Sequence, residues 1–192
     1  DSCFYRFLPV DLEKPFEGTL QALKIKDRVA PVNTSKGWGL GQSAAVEWVD
    51  LLDHENYQKP IRHVAQDKGA SIFRRGEGLC LGRGKVWFSC TEGGPLNSGQ
   101  IFSLSTKKSQ NHLTLEVQST DKNIINMPDN MCFAPSGRLY VAEDCYNVCH
   151  IRVVDSKGQI TSLARNRLSG TEFAGVCFSP SGKTMFVNLQ HD

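Results

Sequence analysis

An all-β fold of the propeller type is predicted by three observations on the 192-residue sequence. A strand–turn–strand segment is written three times: EGLCLGRGKVWFSCTE at residues 77–92, NMPDNMCFAPSGRLYVAED at 126–144 and AGVCFSPSGKTMFVNLQ at 174–190. Aligned on Cys80, Cys132 and Cys177, the copies lie 52 and 45 residues apart, which is the size of one four-stranded blade. The stretches between them hold further short strand patterns with no alternating helices, so the topology is a meander and not a parallel α/β sheet.

Each copy has Gly or Asn two residues before the Cys, apolar residues on either side of it, a Gly-containing turn and a second apolar strand. In the middle copy Met131 and Phe133, then Leu139 and Val141, alternate as in half-buried strands. Pro135-Ser136-Gly137 between them is turn chemistry, because Pro presets φ and Gly accepts a positive one.

In chain order, residues 3–9 predict a strand and 18–25 its hairpin partner, with 11–17 as the loop. Residues 27–43, rich in Gly, Pro, Asn and Ser, read as a long loop, and 45–52 as a strand. The segment 53–70 is the least clear; a short helix fits 61–66 before Asp67-Lys68-Gly69 breaks it. The hairpin 77–90 is followed by a glycine-rich loop at 91–99, strands at 100–104 and 113–117, and a turn at 107–111 between those strands. A further blade runs through 129–142, 150–154 and 159–163, and the last begins near Glu172. Blade hairpins are thus expected near 3–25, 77–117, 129–163 and 172–190. Propellers close with at least four blades. Both ends of the chain run directly into strand patterns, so the expectation is an incomplete set of about four blades from a larger ring.

The net charge is +2, from 22 basic and 20 acidic residues. Arg74-Arg75 and Lys107-Lys108 are too short for a nucleic-acid stripe and carry no interleaved aromatics. No apolar run reaches the length of a membrane span. Of seven cysteines, Cys80, Cys132 and Cys177 read as small buried hydrophobes. Cys145 and Cys149 form a CxxxC spacing without the second pair that a structural zinc pattern needs. Disulfide pairing among Cys3, Cys90, Cys145 and Cys149 is left open by the sequence, and the compartment with it. His54, His63, His112, His150 and His191 show no paired spacing, and no Ser sits in a Gly-x-Ser-x-Gly elbow.

The carboxylates carry the functional signal. The first strand of each propeller blade lines the central channel, and its start lies at one mouth. Glu77 and Asp129 stand three residues before the aligned Cys. Ala174 holds that place in the third copy, with Glu172 two residues earlier and on the same strand face by parity. Asn130 adds a neutral oxygen, and Glu143 and Asp144 end the second strand of the middle copy. A single strand-end carboxylate is ordinarily just solvated. Carboxylates gathered at matched positions repel one another unless a multivalent cation neutralises them, and hard oxygen ligands select Ca²⁺, Mg²⁺ or Fe³⁺.

An ordered set of motifs extends this reading: CFYRFLP at 3–9, GTLQALKI at 18–25, FRRGEG at 73–78, TEGG at 91–94, GQIF at 99–102, MPDN at 127–130, AED at 142–144, EFAG at 172–175, FSPSGKTMFVN at 178–188 and LQ at 189–190. Over nearly its whole length the chain resembles the middle-to-late portion of the PhoX-type alkaline phosphatase family. The resemblance implies a six-bladed propeller that hydrolyses phosphate monoesters of small molecules, with a cluster of iron (Fe³⁺) and Ca²⁺ at the channel mouth. Carried over by motif, it implies Glu77 and Glu172 as iron-side ligands, with Asp129 and Glu143 or Asp144 as calcium ligands or their supporting partners. The family's Cys-Glu-Glu segment has no counterpart, since Cys90 is followed by Thr91-Glu92, and its closing Pro-Gly is replaced by His191-Asp192. Two other readings stand beside it. One is a calcium-dependent lactonase of the gluconolactonase type using Glu77-Gly78 and Asp129-Asn130; the other is a non-catalytic propeller scaffold.

Overall fold

The computed structural model describes residues 2–52, 58–105, 111–146, 148–167 and 171–190. His54, His191, Asn147, part of the unclear segment from residue 53 and most of the turn expected at 107–111 lie outside the described residues.

The chain opens with β1 (Tyr5–Asp11) and β2 (Lys14–Ile25), an antiparallel pair. The loop expected over 11–17 is mostly strand, and the ladder runs on until Asp11 faces Lys14. Asp11 closes the turn itself, its side chain accepting the Glu13 N–H at 3.0 Å, so a two-residue connection suffices. The ribbon tip projects from the body, which leaves Leu12 and Phe16 in solvent. β3 (Ser43–Leu51) pairs with β2, and α1 (Ile61–Asp67) forms where the short helix was expected.

The first blade is β4 (Gly76–Gly82), β5 (Lys85–Cys90), β6 (Gln100–Ser105) and β7 (His112–Gln118), each paired antiparallel with the next. Its outer edge continues into β3 through Ser43, Ala44 and Ala45, giving a strongly curled seven-stranded sheet. The second blade is β8 (Pro128–Phe133), β9 (Leu139–Glu143), β10 (His150–Val154) and β11 (Ile160–Arg165). β12 (Phe173–Phe178) and β13 (Met185–Leu189) form a separate hairpin packed on β8 and β9. The molecule is thus nearly all-β and fits a partial propeller.

Two faces of the first blade are covered, which explains why β6 reads as a continuous buried run and not as an alternation. On one side Phe4 stacks on Phe88 at 4.3 Å, and Phe73 meets Phe88 and Phe102 edge-on at 5.2 and 5.7 Å. Each such ring taken fully out of water contributes roughly 1.5–3 kcal/mol. On the other side Trp87 meets Phe133 of the second blade.

The three aligned cysteines depart from expectation. Cys80 and Cys132 are half-buried and Cys177 is exposed. They sit on successive inner strands, each near the next, and among the described residues no further blade follows Cys177. No disulfide joins any two of the seven cysteines, all of which are described residues.

Candidate functional site

The inner hairpins of the three repeats close in one way. The first residue after the second strand donates its N–H to the residue that opens the first: Thr91 to Arg75 at 2.8 Å, Asp144 to Met127 at 2.9 Å, Gln190 to Glu172 at 3.1 Å. Arg75, Met127 and Glu172 are therefore structural equivalents, and so are Thr91, Asp144 and Gln190. Arg75 and Met127 are both held at positive φ, 51° and 50°, a conformation that turns the chain sharply into the strand.

Just inside that closure the ladder skips. The register breaks between Gly76 and Leu79, between Pro128 and Met131, and between Ala174 and Cys177. A bulge frees residues from pairing and re-aims their side chains. Here it frees Glu77-Gly78, Asp129-Asn130 and Gly175-Val176.

The bulges of neighbouring blades touch. A Cβ on Gly78 would lie 2.2 Å from the Asp129 carbonyl oxygen, so only glycine admits the contact. The Gly175 N–H donates to Asn130 Oδ1 at 2.5 Å. Ser89 locks the arrangement from β5, its hydroxyl accepting the Gly78 N–H and donating to the Asp129 carbonyl, both at 2.8 Å. The Thr91 hydroxyl donates to the Pro128 carbonyl at 3.0 Å.

This backbone gathers Glu77, Asp129, Asp144 and Glu172 around one guanidinium. Arg75 bonds Glu77 at 3.2 Å and Asp144 at 2.5 Å, and lies 3.8 Å from Glu92. Burial, then the charges of Glu77 and Asp144, push the Asp129 pKa up to about 6 against the pull of Arg75. Glu172 is pushed up to about 7 by burial, then by its hydrogen bond with Asp144 and the charges of Asp144 and Asp129, against the pull of Arg75. Asn130 Nδ2 donates to Asp129 Oδ1 at 3.2 Å and fixes its rotamer.

Glu143 is placed apart from this group. It is fully buried in the second blade and accepts from the N–H of Asn126, the N–H of His150 and Arg152 Nε at 2.9, 2.9 and 2.7 Å; His150 Nδ1 lies at 3.1 Å. Those bonds take up its oxygens and hold the end of β9, where Asp144 follows. Two members of the cluster were not singled out from the sequence. In the sequence Arg75 reads as half of a short basic pair and Glu92 as part of the glycine-rich loop at 91–99. Their spacing around Glu77 carried no signal until the closing bond between Thr91 and Arg75 was visible.

Glu77, Asp129, Asp144 and Glu172 face the Arg75 guanidinium, and Glu92 at the edge is also paired with Arg74, so the group holds an excess of negative charge that favours protons or cations. Among the described residues no three His, Cys, Asp or Glu side chains already stand close enough to hold one ion, since Arg75 lies between them. At the same ends of the strands opens a cavity of about 780 Å³, lined by Glu92, Asn97, Lys122, Asn126, His150 and Arg165 among others. That is room for a drug-sized ligand.

No curated protein matches the chain. The family model described as alkaline phosphatase PhoX matches residues 1–192, and the chain belongs to that family.

Proposed function

We propose that this chain supplies the carboxylate mouth of a metal-dependent phosphatase acting on phosphate monoesters. The observation that carries the reading is the convergence of Glu77, Asp129, Asp144 and Glu172 on Arg75, with Glu172 hydrogen-bonded to Asp144. Carboxylates crowded together with too little countercharge are a fit for hard cations, which supply it.

Glu77 and Glu172 would hold Fe³⁺, and Asp129 and Asp144 would hold Ca²⁺. Asn130 Oδ1 adds a neutral oxygen, because a carbonyl keeps a second lone pair after accepting from Gly175. Bound there, such cations polarise the phosphoryl group and neutralise charge developing on its oxygens. The chain's own residues do the rest. Arg75 offers a planar fork that suits phosphate oxygens once Asp144 is engaged elsewhere. Glu143 anchors Asp144 from behind through His150 and Arg152.

The test is Glu172→Gln, which keeps the volume and removes one ligand charge. Metal content by mass spectrometry and hydrolysis of an aryl phosphate should fall together. Wild-type metal content with wild-type activity would overturn the assignment.

A further inference from the structure

Cys145 and Cys149 take no part in the chemistry above. Both are buried, they bracket the connection from β9 to β10, and their sulfurs stand 2.9 Å apart. The Cys145 N–H reaches Cys149 Sγ at 3.2 Å, and that thiol donates back to the Cys145 carbonyl at 2.9 Å. The two sulfurs are therefore already placed so that a bond between them asks for a small displacement only. The other five cysteines are not disposed this way. Cys3 bonds the Arg62 carbonyl and Gln66, Cys90 is buried in the first blade, and Cys80, Cys132 and Cys177 sit on three different inner strands.

We propose that Cys145 and Cys149 are a disulfide-forming pair, oxidised by exchange with a small-molecule disulfide. Cys145 lines the 780 Å³ cavity, whereas Cys149 is wholly buried, which gives the two sulfurs different tasks. The Cys145 sulfur attacks one sulfur of the oxidant, a mixed disulfide forms, and the other half leaves as a thiolate that takes up the Cys145 proton. The Cys149 sulfur then attacks Cys145 Sγ, the intramolecular bond forms, and the second half leaves with the Cys149 proton. Two thiols are oxidised and one disulfide is reduced to two thiols. Asp144 directly precedes Cys145, and His150, which bonds Glu143, directly follows Cys149. The bond thus clamps both ends of the connection behind the carboxylate mouth.

Trypsin isolates the pair in one peptide, LYVAEDCYNVCHIR at residues 139–152, with no other cysteine. Native protein is incubated with oxidised glutathione, quenched in acid, unfolded and alkylated with N-ethylmaleimide. The peptide should emerge unalkylated and about 2 Da lighter than its reduced form, and a reductant should restore it. In Cys149→Ser the exchange should stop at the first step, with glutathione retained on Cys145. Two alkyl groups on the peptide from oxidised wild-type protein would overturn the proposal. So would protection that a chelator abolishes and a reductant does not, which would mean a soft metal held between the thiols.

Discussion

Trp87 and Phe186 occupy the same register position in two copies of one hairpin. Trp87 faces Cys80 across β4–β5, and Phe186 faces Cys177 across β12–β13. Yet Trp87 is 4% exposed and Phe186 55%. The difference lies in the next blade. Trp87 meets Phe133, the residue after Cys132, at 5.2 Å; Tyr140, which faces Cys132, meets Phe178, the residue after Cys177, at 4.7 Å. Among the described residues no ring stands in that relation to Phe186. The repeat therefore sets register within a blade, while burial is set by the blade that follows.

Substitutions at the paired positions sharpen this contrast. Trp87→Ala should cost about 3–5 kcal/mol in urea unfolding, since it empties a packed site between blades. Phe186→Ala should cost less than about 1 kcal/mol, as at an ordinary surface position. Equal losses would mean that the two hairpins are covered alike. Next in size is Gly78→Ala. Its methyl meets the Asp129 carbonyl, which Ser89 holds in place, so about 1–3 kcal/mol should be lost and Asp129 displaced with it. Gly175→Ala meets only the Asn188 side chain, at 3.1 Å, and carries mainly the strain of φ at 63°, about 1 kcal/mol. If calcium binding suffers equally in both variants, the bulge of the first blade has no special hold on Asp129.

Smaller effects are expected at the mouth. Arg75→Gln should destabilise the metal-free protein by about 1 kcal/mol or less, because its ion pairs are partly exposed. Saturating calcium should erase that deficit, and a deficit that persists would make Arg75 a plain structural residue. The pH dependence follows from Asp129 at about 6 and Glu172 at about 7. Unfolded carboxyls titrate near roughly pH 4, so the folded chain binds more protons from there up to about pH 7. Stability then falls as pH rises through that window. Thermal melts in chelator should show this fall, and Asp129→Asn should flatten it. A metal-free protein that gains stability between pH 5 and 8 through these groups would contradict the raised pKa values of Asp129 and Glu172.

The strands of the three repeated hairpins and of the outer pairs that follow the first two were legible in the sequence, because period-2 alternation and Gly-containing turns act locally. The ribbon at residues 11–17 was not, since Asp11 supplies a turn bond that composition alone does not announce. Exposure of Cys177 was hidden for the reason that separates Trp87 from Phe186. Matched spacing picks out Glu77 and Asp129, which fall at equivalent register breaks. Glu172 converges from a different position, the one held by Arg75 and Met127 in the other copies. Glu143 and Asp144 are adjacent in sequence, yet the end of β9 sends one into the blade and the other to the mouth.

Calorimetric titration of calcium into chelator-stripped protein at pH 6 and pH 8, in buffers of different ionisation enthalpy, tests the carboxylate mouth most directly. Binding at pH 6 should be weaker than at pH 8 and should release protons, seen as an enthalpy that changes with the buffer, because the cation must displace those held by Asp129 and Glu172. Asp129→Asn and Glu172→Gln should each reduce that release. Equal affinity at the two pH values with no buffer dependence, unchanged in both variants, would contradict the account and leave these residues as strand-end carboxylates paired with Arg75.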